Sequence, residues 1–261
     1  MSKAALGFFD SGVGGTSVWK EVIDLLPYEN TIYLADSKNA PYGIKSPDEI
    51  IALSIKNTEF LISKGCKLIA IPCNTATTNA IDYLRSKYSI PLIGIEPAIK
   101  PAALQSDTKK IGILATKGTL SSQLFKTTQE KFSQDIDTIE VVGTGIVELI
   151  EAGKTNTVEM KTLLRRIVEP FMISGIDYLV LGCSHYPYIK HLLETLLPKN
   201  VRIIDSGAAV ARQLLVTLQQ SKLLNEDGKL GHHQLYSNAN CTTLKEIVGV
   251  VENMTIEHLD F

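Results

Sequence analysis

Short apolar stretches recur along the chain and alternate with longer segments in which the apolar residues have helical spacing. Apolar runs of this length predict the strands of a parallel sheet that is covered on both faces, and the segments between them predict crossover helices. The predicted strands are residues 6–9, 31–35, 67–71, 90–95, 110–115, 138–143, 177–182 and 201–205. Strands and helices in alternation indicate an α/β fold with doubly wound, largely parallel sheets.

One of the connecting helices has a clear start signal. Ser46, Pro47 and Glu49 match a capping box with proline at the first helical position, which predicts a helix from Pro47 onward. The apolar residues that follow are expected to form one buried stripe of this helix; they are Ile50, Ile51, Leu53, Ile55 and Leu61.

The chain also contains a weak internal repeat at a shift of about 110 residues. Residues 67–75 align with 177–185, residues 6–12 with 111–118, and residues 91–99 with 202–210. The first of these alignments places Cys73 opposite Cys183. Each half of the chain therefore supplies one predicted strand that leads into a cysteine.

This repeat predicts two similar domains that face a central cleft. We place the first domain at residues 1–97 plus 208–261 and the second at residues 98–207, because two prolines interrupt the pattern between Glu96 and Pro101. The C-terminal residues are then expected to return to the first domain and pack against it.

Composition and charge exclude several classes of protein. The 26 Lys and Arg residues are balanced by 28 Asp and Glu residues, so no basic excess favours nucleic acid or an anionic membrane surface. No apolar run approaches the ~18 residues of a membrane span, and the first residues lack the apolar segment of a secretion signal. The four cysteines are widely spread in a large chain, which favours reduced thiols in a cytoplasmic protein.

The candidate chemistry lies where the predicted strands end, which is where parallel sheets bind their ligands. Cys73 is followed by Asn74 and Thr75, and Cys183 is followed by Ser184 and His185. A thiol acts as a base only as the thiolate, from a free pKa of about 8.5, so each cysteine needs a polar or charged partner. His185 and Asp10 are the candidates for that role.

Other polar segments allow more than one interpretation. Residues 8–15 read as a strand, an acid, a hydroxyl and a glycine-rich turn before a helix, which suits either an anion site or a tight turn with Asp10 as helix cap. Tyr42 and Gly43 gain a functional interpretation if their loop overhangs the cleft. Glu148 and Glu151 lie three residues apart on one helix face, where a solvated position is the default.

The same residues would also suit two other kinds of site, a zinc site and the active site of a thiol hydrolase. A zinc site formed by Cys73, Cys183 and His185 lacks the usual ligand spacing and a fourth ligand. A thiol hydrolase would leave the second cysteine without a role. Residues 231–233, Gly-His-His, are interpreted as a polar loop, and no role is assigned to Cys66 or Cys241.

Four motifs together carry a family resemblance: FDSGVGG at 9–15, PYG at 41–43, PCNTAT at 72–77 and LGCSHYP at 181–187. In this order and spacing the chain resembles the glutamate racemases of the cofactor-independent aspartate/glutamate racemase superfamily over about residues 7–210. The resemblance implies two α/β domains around a cleft, a C-terminal segment on the first domain, and catalysis without cofactor or metal.

Carried over residue by residue, the resemblance implies that Cys73 and Cys183 are the catalytic acid/bases, assisted by Asp10 and His185. Glu151 matches a family acid near the second cysteine, although Glu148 stays open as the assisting acid. The implied substrate contacts are Asp10, Ser11, Tyr42, Gly43, Asn74, Thr75, Ser184 and His185.

The expected activity is interconversion of L- and D-glutamate, with D-glutamate feeding peptidoglycan synthesis in the cytoplasm, and we expect a homodimer. The alternatives are a racemase of aspartate or another acidic amino acid, or a non-catalytic amino-acid-binding module. Three departures from the family pattern concern the fit around the substrate: Ser184 replaces the usual threonine, and the segments ADSKNAPYG at 35–43 and SNAN at 237–240 differ from the usual versions.

Overall fold

The computed structural model of the chain describes residues 3–132 and 135–261. Its strands form two sheets, and every described pair of neighbouring strands runs parallel. The larger sheet contains, in spatial order, Met254–His258 (β10), His233–Ser237 (β9), Thr31–Ala35 (β2), Leu6–Asp10 (β1), Leu68–Ile71 (β3) and Leu92–Gly94 (β4). The smaller contains Asp137–Val142 (β6), Lys110–Ala115 (β5), Tyr178–Gly182 (β7) and Arg202–Ile204 (β8).

The internal repeat has a counterpart in the topology of the sheets. Strands β2, β1, β3 and β4 lie in the same spatial order as β6, β5, β7 and β8. The first strand of each half, β1 or β5, lies second in this order. Strand β1 pairs with β3 and strand β5 pairs with β7, and both β3 and β7 lead into a cysteine. The predicted fold class, α/β with parallel sheets, is confirmed, and all eight predicted strands are present.

Helices connect the strands and cover the sheets. They are Thr16–Leu25 (α1), Pro47–Ser63 (α2), Asn74–Lys87 (α3), Ile99–Gln105 (α4), Lys117–Leu120 (α5), Gln123–Phe132 (α6), Ile146–Glu151 (α7), Val158–Ser174 (α8), Lys190–Leu196 (α9), Gly207–Gln220 (α10) and Thr242–Val248 (α11). Within the described residues, no helix has both the length and the apolar character that crossing a bilayer requires.

Helix α2 starts as predicted, and part of its predicted stripe is buried. Both bonds of the capping box are present: the Glu49 backbone N–H donates to Ser46 Oγ at 3.3 Å, and the Ser46 N–H donates to Glu49 Oε2 at 2.9 Å. Its buried residues are Ile50, Ser54, Asn57, Thr58 and Leu61. The predicted burial is confirmed for Ile50 and Leu61. Ile51, Leu53 and Ile55 pack against the same core but are only half-buried, because the 3.6-residue period places polar residues between Ile50 and Leu61 on the inner face.

The C-terminal part of the chain completes the larger sheet. Strand β9 pairs with β2, strand β10 pairs with β9, and helix α10 packs against α1. These contacts support residues 1–97 plus 208–261 as one domain and 98–207 as the other, a division that we propose.

Strands β9 and β10 are not among the strands predicted from the sequence. His233, interpreted as part of a polar loop, begins β9 and is buried. Its Nδ1 lies 3.0 Å from Thr31 Oγ1, and its ring meets the Trp19 ring edge to face at 5.5 Å. The polar interpretation fails because a hydroxyl and an aromatic ring from the neighbouring elements accommodate the imidazole.

A buried ion pair fixes the segment that leads from α10 to β9. Lys67 Nζ lies 2.6 Å from Glu29 Oε2 and donates to the Leu223 carbonyl at 2.7 Å. The other Glu29 oxygen accepts the Asn225 backbone N–H at 2.7 Å. Both charged side chains are almost fully buried, so each depends on the other and on these backbone groups for its polar contacts.

Candidate active site

The carboxyl ends of β1, β3 and β7 meet where the two sheets face each other. Asp10 ends β1, Cys73 follows β3 after one residue, and Cys183 directly follows β7. Ser184 Oγ donates to Asp10 Oδ1 at 2.9 Å, which joins the two sheets directly. Asp10, Cys73, Cys183 and Ser184 are all buried. The strands of both halves thus deliver their polar residues to one shared place.

The glycine-rich turn at residues 12–15 packs tightly against side chains of the smaller-sheet half. The Gly12 N–H donates to Asp10 Oδ2 at 3.0 Å, and the Val13 N–H donates to Glu151 Oε1 at 2.7 Å. A Cβ at Gly12 would lie 1.9 Å from Glu151 Oε1, so the close approach requires glycine. Asp10 does not cap α1, because that helix begins six residues later without a side-chain cap.

His185 connects Cys183 to Glu151. Its Nε2 lies 2.6 Å from Glu151 Oε1 and its Nδ1 lies 3.9 Å from Cys183 Sγ. The second oxygen of Glu151 accepts a hydrogen bond from Ser37 Oγ at 2.8 Å. Glu148 instead lines a cavity of about 220 Å³ beside Gly43. Of the two acids on α7, Glu151 is therefore the one that contacts the imidazole.

The charges around His185 shift the pKa values of the neighbouring groups. Burial acts to lower the pKa of His185, but hydrogen bonds to Cys183 and Glu151 outweigh it and hold that pKa well above 6.5. Burial likewise acts to raise the pKa of Glu151, whereas its bond from His185 keeps it below 4.5. Both shifts favour an imidazolium facing a carboxylate.

Cys73 has a different environment from Cys183. It precedes α3, and its sulfur accepts the Ala76 N–H at 3.4 Å. Burial, and after it the negative charge of Asp10, hold the pKa of Cys73 well above 9.0, although the Ser11 and Ala76 N–H groups oppose this. Burial also raises the pKa of Asp10 above 3.8, against the charge of His185. Cys73 is accordingly a thiol at neutral pH.

Polar groups for a ligand lie beside Cys73. The Nδ2 of Asn74 is buried and has no hydrogen-bond partner within residues 3–132 and 135–261. Thr75 Oγ1 lies 2.8 Å from Thr116 Oγ1 and 3.3 Å from Thr119 Oγ1. A buried amide donor without a partner is costly, so this group favours a bound acceptor.

The loop that carries Tyr42 and Gly43 reaches the same region. The Tyr42 ring belongs to the apolar cluster that includes Cys73, and a Cβ at Gly43 would lie 2.7 Å from Thr116 Cβ. The Tyr42 hydroxyl donates to Asp36 Oδ2 at 2.5 Å and accepts from Asn57 Nδ2 at 3.1 Å. Tyr42 thus offers its ring rather than a free hydroxyl.

Comparison with known proteins decides the family. A model of the Asp/Glu/hydantoin racemase family matches residues 16–214. The chain belongs to this family. A glutamate racemase of Clostridium perfringens is 41% identical over 248 residues, which are 95% of each chain.

Solved structures agree with this assignment. Glutamate racemase RacE1 of Bacillus anthracis matches with a TM-score of 0.89 at 26% identity, covering 100% of this chain and 98% of that one. Escherichia coli glutamate racemase, in complex with L-glutamate and the activator UDP-MurNAc-Ala, matches with a TM-score of 0.85 at 30% identity, covering 98% of each chain. The chain is therefore an amino-acid racemase, an isomerase.

The racemase brings Asp10, Cys73, Cys183, Ser184, His185 and Glu151 into one region, with Tyr42, Gly43 and Thr75 beside it. Two further residues, which the sequence did not single out, lie there as well. These are Thr116 and Thr119, whose hydroxyls meet Thr75. A signal for Thr116 existed, because the internal repeat aligns the segment after β5 with the segment after β1. Among the described residues, no three His, Cys, Asp or Glu side chains are placed to hold one metal ion.

Proposed function

We propose that this racemase interconverts L- and D-glutamate with Cys73 and Cys183 as its two acid/bases. The observation that carries the proposal is the delivery of two buried cysteines, from matched strands of the repeat, to the place where the two halves meet. The C. perfringens relative is named a glutamate racemase, and the E. coli structure holds L-glutamate, which supports glutamate as the substrate.

Racemisation requires proton transfer on two opposite faces of the α-carbon. A thiolate on one face takes the α-proton, so that an S–H bond forms, the C–H bond breaks and the electron pair remains on the substrate. The thiol on the other face then donates its proton to the α-carbon and becomes the thiolate. Because the enantiomers have equal free energy in water, each cysteine must serve as acid in one direction and as base in the other.

The two thiols are supported by different neighbours. His185 faces Cys183, and its imidazolium stabilises a thiolate there. Asp10 lies near Cys73 and favours the protonated thiol. Removing the Cys73 proton costs about 1.4 kcal/mol for each unit by which its pKa exceeds the pH. Asp10, His185 and Glu151 are thus proposed to tune the two thiols, with Glu151 acting through His185.

The negative charge that develops on the substrate needs hydrogen-bond donors in a water-poor cleft. Asn74 Nδ2 is free to donate within the described chain, and the N-terminus of α3 adds a favourable dipole. The Ser184 hydroxyl already donates to Asp10, so it must turn to reach a substrate. Substrate contacts are proposed for Asp10, Ser11, Tyr42, Gly43, Asn74, Thr75, Ser184 and His185.

The wider role follows from the same proposal. D-glutamate would supply peptidoglycan synthesis in the cytoplasm, and the chemistry uses no cofactor or metal. Activity is therefore expected to persist after exhaustive chelation with EDTA, and its loss with recovery on added zinc would contradict this. A homodimer is proposed as the assembly, which light scattering of the purified protein tests.

Substrate assays test the function itself. The protein is incubated with L-glutamate and, separately, with L-aspartate, and optical rotation is followed to equilibrium. Loss of rotation with glutamate and not with aspartate is the expected result. Loss of rotation only with aspartate would redirect the proposal to that substrate, and constant rotation with both would support a binding module instead.

Deuterium incorporation and cysteine variants test the two-base mechanism. In D₂O, early D-glutamate formed from protiated L-glutamate should carry deuterium at the α-carbon, while the remaining L-glutamate stays largely protiated, because the donor thiol has exchanged with solvent. Cys73→Ala and Cys183→Ala should each abolish racemisation, since each removes the acid of one direction and the base of the other. NMR and polarimetry provide the readouts. Near wild-type rates in either variant would contradict two-thiol catalysis.

A further inference from the structure

Asp36 accepts hydrogen bonds from three side chains at the end of β2. The carboxylate is fully buried and directly follows that strand. It accepts hydrogen bonds from the Tyr42 hydroxyl at 2.5 Å, from Asn39 Nδ2 at 2.7 Å and from Asn238 Nδ2 at 2.5 Å. Asn238 directly follows β9, so one carboxylate ties the loop after β2 to the C-terminal part of the chain.

The proton positions in this network are determined by its donors. Asn57 Nδ2 donates to the Tyr42 oxygen, so the tyrosine proton points to Asp36. The Asn238 amide group donates to Asp36 and, through its Oδ1, accepts the Lys38 N–H at 2.9 Å. The Asn238 amide and the carboxyl oxygens of Asp36 therefore satisfy each other and the loop backbone together.

The loop that this network holds contacts both halves of the site. Ser37 donates to Glu151, which in turn contacts His185. The Tyr42 ring packs in the apolar cluster of Cys73, while Gly43 lies against Thr116. A shift of this loop would thus move the wall beside Cys73 and one hydrogen-bond donor of Glu151 at the same time.

We propose that Asp36 and Asn238 are positioning residues of the racemase, which hold residues 37–45 in the conformation that binds the substrate. The proposal rests on the proposed function for its kinetic readout and extends it to two residues that do not themselves touch the site's cysteines. Asn238 gives the C-terminal strand a role in a site otherwise built from earlier parts of the chain.

A charge-conserving exchange tests this pairing. Asp36→Asn places two amide groups face to face, and Asn238→Asp places two carboxylates within hydrogen-bond distance in a buried position. In the double variant the amide introduced at 36 donates to the carboxylate introduced at 238, which still accepts the Lys38 N–H, while the amide oxygen still accepts the Tyr42 hydroxyl. The exchange therefore restores the bonds that join positions 36 and 238 and the bonds to Lys38 and Tyr42. Only the half-buried Asn39 amide loses its acceptor at position 36.

Kinetics of the four proteins give the main readout. Each single variant is expected to raise KM for glutamate about 10- to 100-fold with a smaller change in kcat, because misplacing a substrate-contacting loop by about 1 Å costs on that order. The double variant is expected to return KM to within about threefold of wild type. Asp260→Asn is the matched control, since this exposed carboxylate also faces the loop, 3.9 Å from Lys38 Nζ, and should leave KM unchanged.

A second readout needs no substrate and separates this inference from the proposed function. The rate of Cys73 alkylation by iodoacetamide, followed by mass spectrometry, should rise in both single variants and fall back in the double variant. If the wild-type protein is inactive on glutamate, the proposed function is wrong, but the labelling rates of the variants still test the inference. If the single variants do not fold, Tyr42→Phe replaces them in the test. It removes only the hydroxyl that donates to Asp36, and it should likewise raise KM and the rate of Cys73 labelling. Unchanged KM and labelling in all folded variants, or a double variant no better than either single one, overturns the inference.

Discussion

The carboxylate of Glu151 keeps Nε2 of His185 protonated. Glu151 Oε1 lies 2.6 Å from Nε2, which must donate to it. The Gly14 N–H also points at Nε2, at 3.2 Å, but a protonated Nε2 has no lone pair with which to accept a hydrogen bond from it. The remaining nitrogen, Nδ1, faces Cys183 Sγ at 3.9 Å. Glu151 thus holds one N–H of the imidazolium and leaves the other directed at the sulfur.

Glu151→Gln should therefore change the pH profile as well as the rate. The pKa of His185 lies well above 6.5, so the imidazolium keeps its proton at neutral pH and loses it only on the alkaline side. Without the Glu151 charge that pKa falls, and the alkaline limb of kcat/KM should move to lower pH while kcat drops about 10²- to 10⁴-fold. Because the enantiomers are isoenergetic, kcat/KM must fall equally in both directions.

The control is Glu148→Gln, one turn away on the same helix. Glu148 lines the cavity beside Gly43 and makes no described bond to His185, so its variant should keep the wild-type pH profile. Initial rates with each enantiomer across pH provide the measurement. A displaced limb in the Glu148 variant, or a wild-type profile in the Glu151 variant, would reverse the two assignments.

The sequence identifies residues that follow strands better than residues held by remote partners. Cys73 and Cys183 could be predicted because each follows an apolar run, and the repeat pairs them. The choice between Glu148 and Glu151 could not be made, because it depends on where α7 meets His185, more than thirty positions away. Asp36 was missed for a similar reason, since its partner Asn238 lies 202 residues further along.

At the scale of elements, the turn between β1 and α1 depends on glycine, because a side chain there would collide with the imidazole of His185. A Cβ at Gly14 would lie 2.1 Å from His185 Nδ1. Gly14→Ala should displace the imidazole from Cys183 and lower kcat about 100-fold, the order expected for a 1 Å misplacement. Thermal melts should show a folded protein. Gly228→Asn is the control, because Gly228 has φ +71° and no neighbour within 4 Å, and asparagine tolerates that conformation. Equal activity of the two variants would dismiss the steric argument.

The C-terminal elements depend on the buried pair of Lys67 and Glu29. Lys67→Met leaves the Glu29 carboxylate buried without its counter-charge, which should lower the free energy of unfolding by about 3–5 kcal/mol. Urea and thermal unfolding measure this. Lys87→Met is the matched control, since its pair with Glu59 is exposed and exposed pairs contribute little to stability. A Lys67 variant as stable as the Lys87 variant would show that the pair does not hold the segment.

Strands could be predicted most directly where burial is continuous. Strands β1, β2, β3, β5 and β7 are buried almost throughout and read as apolar runs, whereas β6 was predicted although it is exposed or half-buried. Strand β10 lies at the edge of the larger sheet with β9 next to it, and both strands contain exposed polar positions, so HQLYS and MTIEH show no such run. Helix α2 shows the converse, because Ser54, Asn57 and Thr58 share its inner face with Ile50 and Leu61.

At the scale of the whole molecule, hydrogen bonds close the two halves over the cysteines. Ser17 Oγ donates to the Ser184 carbonyl at 2.9 Å, and Ser37 donates to Glu151. Thr16 Oγ1 lies 2.6 Å from the Tyr188 hydroxyl. Since Thr16 gives its own proton to the Val13 carbonyl, Tyr188 must be the donor. The closed arrangement buries Cys73 and Cys183, so a reagent must wait for the halves to open.

Alkylation by iodoacetamide should therefore report opening of the molecule. Inactivation should follow labelling of Cys73 or Cys183 and be slowed by glutamate, whereas half-exposed Cys241 should be labelled faster and without loss of activity. Cys66, whose pKa burial raises to about 12, should be labelled slowly. Tyr188→Phe removes one closing bond worth about 0.5–1.5 kcal/mol, so labelling of the two site cysteines should accelerate about 2- to 12-fold while Cys241 keeps its rate. Mass spectrometry at timed intervals gives all four rates. Inactivation that instead follows labelling of Cys66 or Cys241 would place the essential thiol outside the cleft.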